Sequence, residues 1–154
     1  MKEEKRPELL SPAGNFEKMQ AAIRFGADAV YLAAKQFGMR SAADNFSDEE
    51  LPLAVEYAHA RGVRVYQTVN TMPRDAEYPA LRRTLLAAQK AGVDALIVSD
   101  PGVIALAKEL IPHMPLHIST QASIVSTASA RAYAALGAER VVLAREVDIE
   151  KAKK

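Results

Sequence analysis

The sequence predicts an α/β protein: a partial (β/α)8 barrel of the TIM type, with about six parallel strands and intervening helices. Three observations carry this. Short runs rich in Val, Ile and Leu alternate with longer amphipathic segments, and the runs are continuously apolar, as strands covered on both faces are. Glycine recurs where a helical segment gives way to the next strand. The six runs start about 26 residues apart, so eight units would need roughly 210 residues, whereas the chain has 154. An open, doubly wound sheet of six strands is the competing architecture.

Each element has a local reason. The first strand is expected at 8–11. Ser11-Pro12-Ala13-Gly14-Asn15 then turns into a helix at 16–25, with Asn15 as its N-cap and Gly26 ending it. A strand at 29–32 leads through a long loop, 33–46, to a helix at 48–61. There Ser47 and Glu50 have capping-box spacing and Gly62 closes the last turn. The third strand, 63–70, precedes a helix at 78–91 that stops at Gly92. The fourth, 95–99, meets Asp100 as a cap and Pro101 at a first helical position, where a missing N–H is harmless, ahead of a helix at 102–110. Pro112 and Pro115 break the chain before a fifth strand at 116–120. A helix at 128–136, Gly137 and a sixth strand at 140–144 follow, and 147–154 opens a sixth helix. Residues 1–154 are therefore expected to be the N-terminal portion of one barrel domain whose last strands are missing.

Composition excludes several function classes. Twenty Lys and Arg against nineteen Asp and Glu leave a net charge of +1, so no global field draws nucleic acid or membrane. With no cysteine there is no disulfide, thiolate nucleophile or cysteine-ligated metal within the chain. His59, His113 and His117 are scattered, so no metal site is expected. The opening residues lack the apolar stretch of a secretory signal or a membrane helix, which makes the cytoplasm the expected location and a membrane partner unexpected.

Ligands of parallel α/β proteins bind at the carboxyl ends of the strands. That rule selects Asn15, the loop bearing Lys35, Arg40, Asp44 and Asn45, then Asn70, Asp100, Gln121, Arg145 and Glu146. Several have a plainer duty available. Asn15 and Asp100 can be helix caps, Asn70 can orient a loop, and Arg145 with Glu146 can form a salt bridge or cap the helix beginning at Asp148. The stretch Lys35-Gln36-Phe37-Gly38-Met39-Arg40 could clasp a phosphate while stacking a ring, or be a solvated loop with one anchoring Phe. His117 alternates with apolar neighbours and reads as an interior histidine. It stands two residues from Ser119 without a third orienting group, so no serine-hydrolase triad is present. A Schiff-base role for Lys35 is a further enzyme reading, weakened by its place in a loop.

These strand-end phrases, in this order, resemble the collagenase-like peptidase family thirty-two of unknown catalytic type. The matching stretches include Gly26-Ala27-Asp28-Ala29-Val30-Tyr31, Phe37-Gly38-Met39-Arg40, Asp44-Asn45-Phe46 and Val55-Glu56-Tyr57-Ala58-His59-Ala60-Arg61-Gly62. Ser99-Asp100-Pro101-Gly102, His117-Ile118-Ser119-Thr120-Gln121-Ala122 and 141–146 complete the series. The resemblance implies the N-terminal barrel of a protein more than twice this length, with the family's cysteine-bearing signature beyond Lys154. Where relatives hold an iron–sulfur cluster, this chain has no cysteine to do so. The family name implies proteolysis, while other relatives resemble proteins that hydroxylate RNA bases of tRNA or rRNA, or a quinone precursor.

The resulting expectation is a truncated family member whose full-length relatives hydroxylate RNA, with RNA or a peptide as substrate. Glu146 would act as catalytic acid/base, Arg40 and Arg145 would hold anionic groups, and Asn70 and Gln121 would orient the substrate. Asn15, Asn45 and Asp100 complete the substrate-binding set. The rival expectation is a non-catalytic fragment or split subunit, completed by a second copy or by a separate C-terminal chain, because an incomplete barrel exposes strand edges.

Overall fold

The computed structural model describes residues 6–39 and 44–152. Its strands are β1 (Leu10–Pro12), β2 (Ala29–Ala33), β3 (Arg64–Val69), β4 (Ala95–Val98), β5 (Leu116–Ile118) and β6 (Arg140–Val141). Between and after them run α1 (Phe16–Arg24), α2 (Glu50–His59), α3 (Tyr78–Ala91), α4 (Pro101–Leu110), α5 (Thr127–Ala135) and α6 (Ile149–Ala152). All five strand pairings are parallel, and the spatial order is the sequence order from β1 to β6. A doubly wound sheet reverses its order at a switch point. This one never does, so the chain forms the curled half of a (β/α)8 barrel.

The curl is visible in one contact. Five strand spacings would set the first and sixth strands ~24 Å apart in a flat sheet. Yet Glu8, just before β1, accepts a 2.7 Å hydrogen bond from Arg140, the first residue of β6. The sheet must bend round for these side chains to meet.

Parity along each strand divides the core in two. Val30, Leu32, Val65, Val69, Leu96, Val98, Leu116 and Ile118 face outward and join Met19, Leu51, Leu81, Leu85 and Ile104 from the helices in the main core. Ala29, Tyr66, Ala95 and Ile97 form a second, smaller cluster on the concave face, with Leu10 and Tyr31 against it. Strands covered on both sides need apolar side chains at every position, which is why they read as continuous runs.

Most element boundaries shift by one or two residues from the sequence expectation, as for β1, β5 (which ends at Ile118, not 120) and α2 (Glu50–His59, not 48–61), and two shifts bear on the strand ends. Strand pairing in β6 stops at Val141, so 142–144 continue as irregular chain: Val142 N–H still reaches the Ile118 carbonyl and Ala144 N–H that of Ile124. Pairing in β3 stops at Val69, one residue short of Asn70. The expected caps are present. Asn15 accepts from Lys18 N–H, Asp100 from Val103 N–H, and Ser47 and Glu50 exchange reciprocal bonds ahead of α2. Gly26, Gly62, Gly92 and Gly137 all have φ between +71° and +92°. A Cβ on Gly92 would meet only Val55 at 3.9 Å, an ordinary contact, so its substitution tests backbone conformation alone. Gly92→Ala should therefore lower unfolding free energy by about 1–2 kcal/mol in urea titrations, the cost of holding an L-residue in the left-handed region.

Candidate functional site

The carboxyl ends of the strands form a continuous polar rim, because each loop there is hydrogen-bonded to the next. Asn15, while capping α1, donates from its amide to Asp44 at 3.0 Å and so ties the turn after β1 to the loop after β2. That second loop folds back tightly. Phe37 has φ +63°, and its carbonyl accepts from Asn70 and Thr71 N–H, while the Asn70 side chain accepts from Met39 N–H at 3.2 Å. Gly38 sits where a Cβ would come within 2.7 Å of the Ala33 Cβ, so only glycine allows this approach. Ser99 donates to the Asn70 carbonyl, Ser119 N–H to the Val98 carbonyl, and Ala144 N–H to the Ile124 carbonyl, which carries the rim round to β6.

The sequence-selected residues that are described fall on this rim with unequal roles. Asn15 and Asp100 serve as helix caps, and Asn70 stitches two loops together. Asn45, beside Asp44, is buried in the left-handed region at φ +36° and directs Phe46 into the core. Gln121 belongs to a short 3-10 turn, Thr120–Ala122, and its own N–H is capped by the Ser119 hydroxyl. Arg145 and Glu146 lie exposed in the turn after β6, ahead of Asp148, which caps α6. Arg40 lies outside the described residues. The structure brings Asn15 beside the loop of Asn45, and Asn70 beside Ser99-Asp100; Gln121 and the Arg145–Glu146 pair occupy the far side of the rim.

Below the rim, on the concave face near the amino ends of the strands, lies a charged cluster that sequence reasoning missed. Glu8 pairs with Arg64 and Arg140 and accepts a 2.9 Å hydrogen bond from the Tyr66 hydroxyl. Burial alone would raise the Glu8 pKa, but the bonds from Arg140 and Tyr66 and the two guanidinium charges outweigh it and hold the carboxyl below its ordinary value. His117 packs edge-on against Tyr66, ring centroids 4.7 Å apart. It is 6% exposed, and burial, reinforced by the Arg140 charge, lowers its pKa to about 4. The imidazole is therefore neutral at physiological pH. The signal for this cluster was parity: Arg64, Tyr66, His117 and Arg140 share the inward phase of their strands. Among the described residues no group of three His, Cys, Asp or Glu side chains could hold a metal ion, and no helix is long and apolar enough to cross a membrane.

Two stability measurements follow. Glu8→Ala leaves two guanidiniums and a phenol without their shared acceptor. Both arginines keep contact with water, so the cost should be only about 1–2 kcal/mol in urea unfolding. His117 binds its proton more weakly folded than unfolded, so stability is fully present above pH 6.5 and is lost as pH falls from 6.5 through 4. The slope is at most about 1.4 kcal/mol per pH unit. In melting curves at stepped pH, a His117→Gln variant should show a shallower loss than wild type across that window.

The model of peptidase family U32 matches residues 14–154. A protein of Escherichia coli K12 named tRNA hydroxylation protein P is 41% identical over 145 residues, 94% of this chain and 32% of its own length. A Porphyromonas gingivalis protein named collagenase is 38% identical over 144 residues, 93% of this chain and 34% of its own. The chain thus spans about a third of the length of these curated relatives. A solved U32 peptidase superposes with a TM-score of 0.72 at 20% identity, over 90% of this chain and 58% of that one, and speaks to the fold.

Proposed function

Because the chain belongs to peptidase family U32, we propose that it is the substrate-holding, N-terminal barrel segment of a protein that takes part in tRNA hydroxylation. The observation that carries this is the 41% identity over 94% of the chain to a relative named for that activity. The polar rim suits the task. Its neutral amides Asn15, Asn70 and Gln121 can bond to a base edge, and Arg40 and Arg145 can hold phosphate groups. Glu146, exposed beside Arg145, would exchange a proton with the substrate.

Hydroxylation also needs an oxygen donor and an oxidant, and the chemistry for those lies outside this chain in this reading. An iron–sulfur cluster does not fit here: the sequence has no cysteine to ligate one. No step is therefore assigned to such a group. The barrel would be completed by further strands of the same protein, or by a separate or second copy of a chain, at the open edges of β1 and β6, and the protein would work in the cytoplasm.

A peptidase is the second reading, favoured by the relative named collagenase. The concave face offers it little. The Ser119 hydroxyl caps the 3-10 turn, and His117 is held edge-on to Tyr66. Deleting the gene for the full natural protein should remove a hydroxylated nucleoside from digested tRNA, measured by mass spectrometry. Complementation with Arg145→Ala should restore less than a tenth of it. An unchanged nucleoside profile in the deletion strain, together with cleavage of a collagen peptide by the purified protein, would overturn the proposal in favour of proteolysis.

A further inference from the structure

At the opposite end of the barrel from the polar rim, an open groove of about 850 Å³ runs beneath the amino ends of β1, β2 and β3. Four arginines line it, Arg6, Arg24, Arg61 and Arg64, against two carboxylates, Glu8 and Asp28. The carboxylates are already committed. Asp28 takes Arg6 at 2.5 Å and the Leu9 N–H at 2.7 Å, and Glu8 takes Arg64 and Arg140. Arg24 and Arg61 have no acidic partner among the described residues. Arg61 is nevertheless held in place: it donates to the Tyr57 carbonyl at 2.9 Å, and its guanidinium lies 3.5 Å from the centre of the Tyr57 ring. A planar fork fixed on an aromatic face, with its remaining N–H groups free, has lost the entropy that binding an anion would otherwise cost.

A second feature adjoins the groove in the chain, although its side chain is not one of those that line it. Phe25 stands between the lining residues Arg24 and Gly26, and at 84% exposure is the most exposed large hydrophobic side chain among the described residues. It contributes nothing to either core cluster. A free aromatic face beside unpaired guanidiniums is the combination that binds single-stranded nucleic acid, by stacking a base while neutralising its phosphates. An acidic peptide would use the guanidiniums but leave the ring idle.

We propose that this groove is an RNA-contact surface distinct from the rim, in which Arg24 and Arg61 take backbone phosphates of a looped or single-stranded segment and Phe25 stacks an unpaired base. This rests on the tRNA reading above. The longest strand, β3, has six residues, so the two ends of the sheet are only ~20 Å apart, and one folded RNA can reach both.

The test uses the full natural protein and a fluorescein-labelled, unmodified tRNA transcript, with binding followed by anisotropy over a series of salt concentrations. The double variant Arg24→Gln, Arg61→Gln should bind at least tenfold more weakly, with the log–log salt slope flattened by about 1–2, as two lost phosphate contacts require. Phe25→Ala should weaken binding about fivefold or more and leave the slope unchanged. Phe25 and Arg24 are exposed, so melting temperatures near wild type verify folding for Phe25→Ala and a single Arg24→Gln, and that single variant should flatten the slope by about half as much. Variants that bind within twofold of wild type, at the same slope, overturn the groove. The deletion experiment separates the two failures: if hydroxylated nucleoside is lost on deletion while groove variants bind normally, the groove alone is wrong. If hydroxylation survives deletion, the reading beneath it falls.

Discussion

The carboxylate of Glu8 is the point on which the shape of this half-barrel turns. It lies ahead of the first strand, and it engages the first residue of β3, a tyrosine in the middle of β3 and the first residue of β6. Sheet hydrogen bonds connect only neighbouring strands and leave the overall curvature to twist and packing. A contact between residues 132 apart, on opposite margins of the sheet, is made only in the curled form and so favours that curvature. A charge so placed is tolerable because it is shared among three donors and keeps some contact with solvent. Removing the partners while keeping the charge would be the costly change, because an uncompensated carboxylate beneath the concave face has no other donor of comparable strength.

The same network explains why His117 is an interior residue and a neutral one. Its ring meets Tyr66 edge-on, and Tyr66 is turned toward Glu8 by its own hydroxyl bond. Arg140, needed to balance Glu8, adds a positive charge that makes a second one on the imidazole unfavourable. Closing the amino end of the sheet with ions thus keeps protonation out of the concave face. It leaves the carboxyl end, where the loops gather, as the polar surface open to a ligand.

Legibility in the sequence followed the range of each interaction. The caps at Asn15 and Asp100, the Ser47–Glu50 box and the four left-handed glycines act within a turn or two of chain, and residue identity alone declares them. The strands were legible because burial on both faces leaves a continuous apolar run. Lateral bonds between mouth loops were not legible. Nothing in Asn70 announces that its side chain receives Met39 N–H, or that Ser99 reaches its carbonyl. Glu8 read as the start of a strand because its partners lie 58 or more residues away for Tyr66 and Arg140. The polar strand ends could be selected by a rule about parallel sheets. Which of them are spent on capping and stitching only emerged when their hydrogen bonds were followed.

That division bears on how a barrel of this kind could recognise RNA. Contacts to phosphate position a nucleic acid and carry no sequence, whereas contacts to base edges choose among bases. At the rim, amide side chains and backbone groups predominate, and many are already fixed by neighbouring loops, so they present directional partners with little freedom left to lose. At the amino end the described residues offer unpaired guanidiniums and an exposed aromatic ring, which discriminate poorly between bases but hold a backbone well. The net charge of +1 hides this polarity, since most acidic groups near the groove are consumed by arginines of the same chain. A protein with no global attraction for RNA can therefore still hold one by a small number of unpaired, pre-oriented cations. The weak long-range field leaves selection to the groups at the rim.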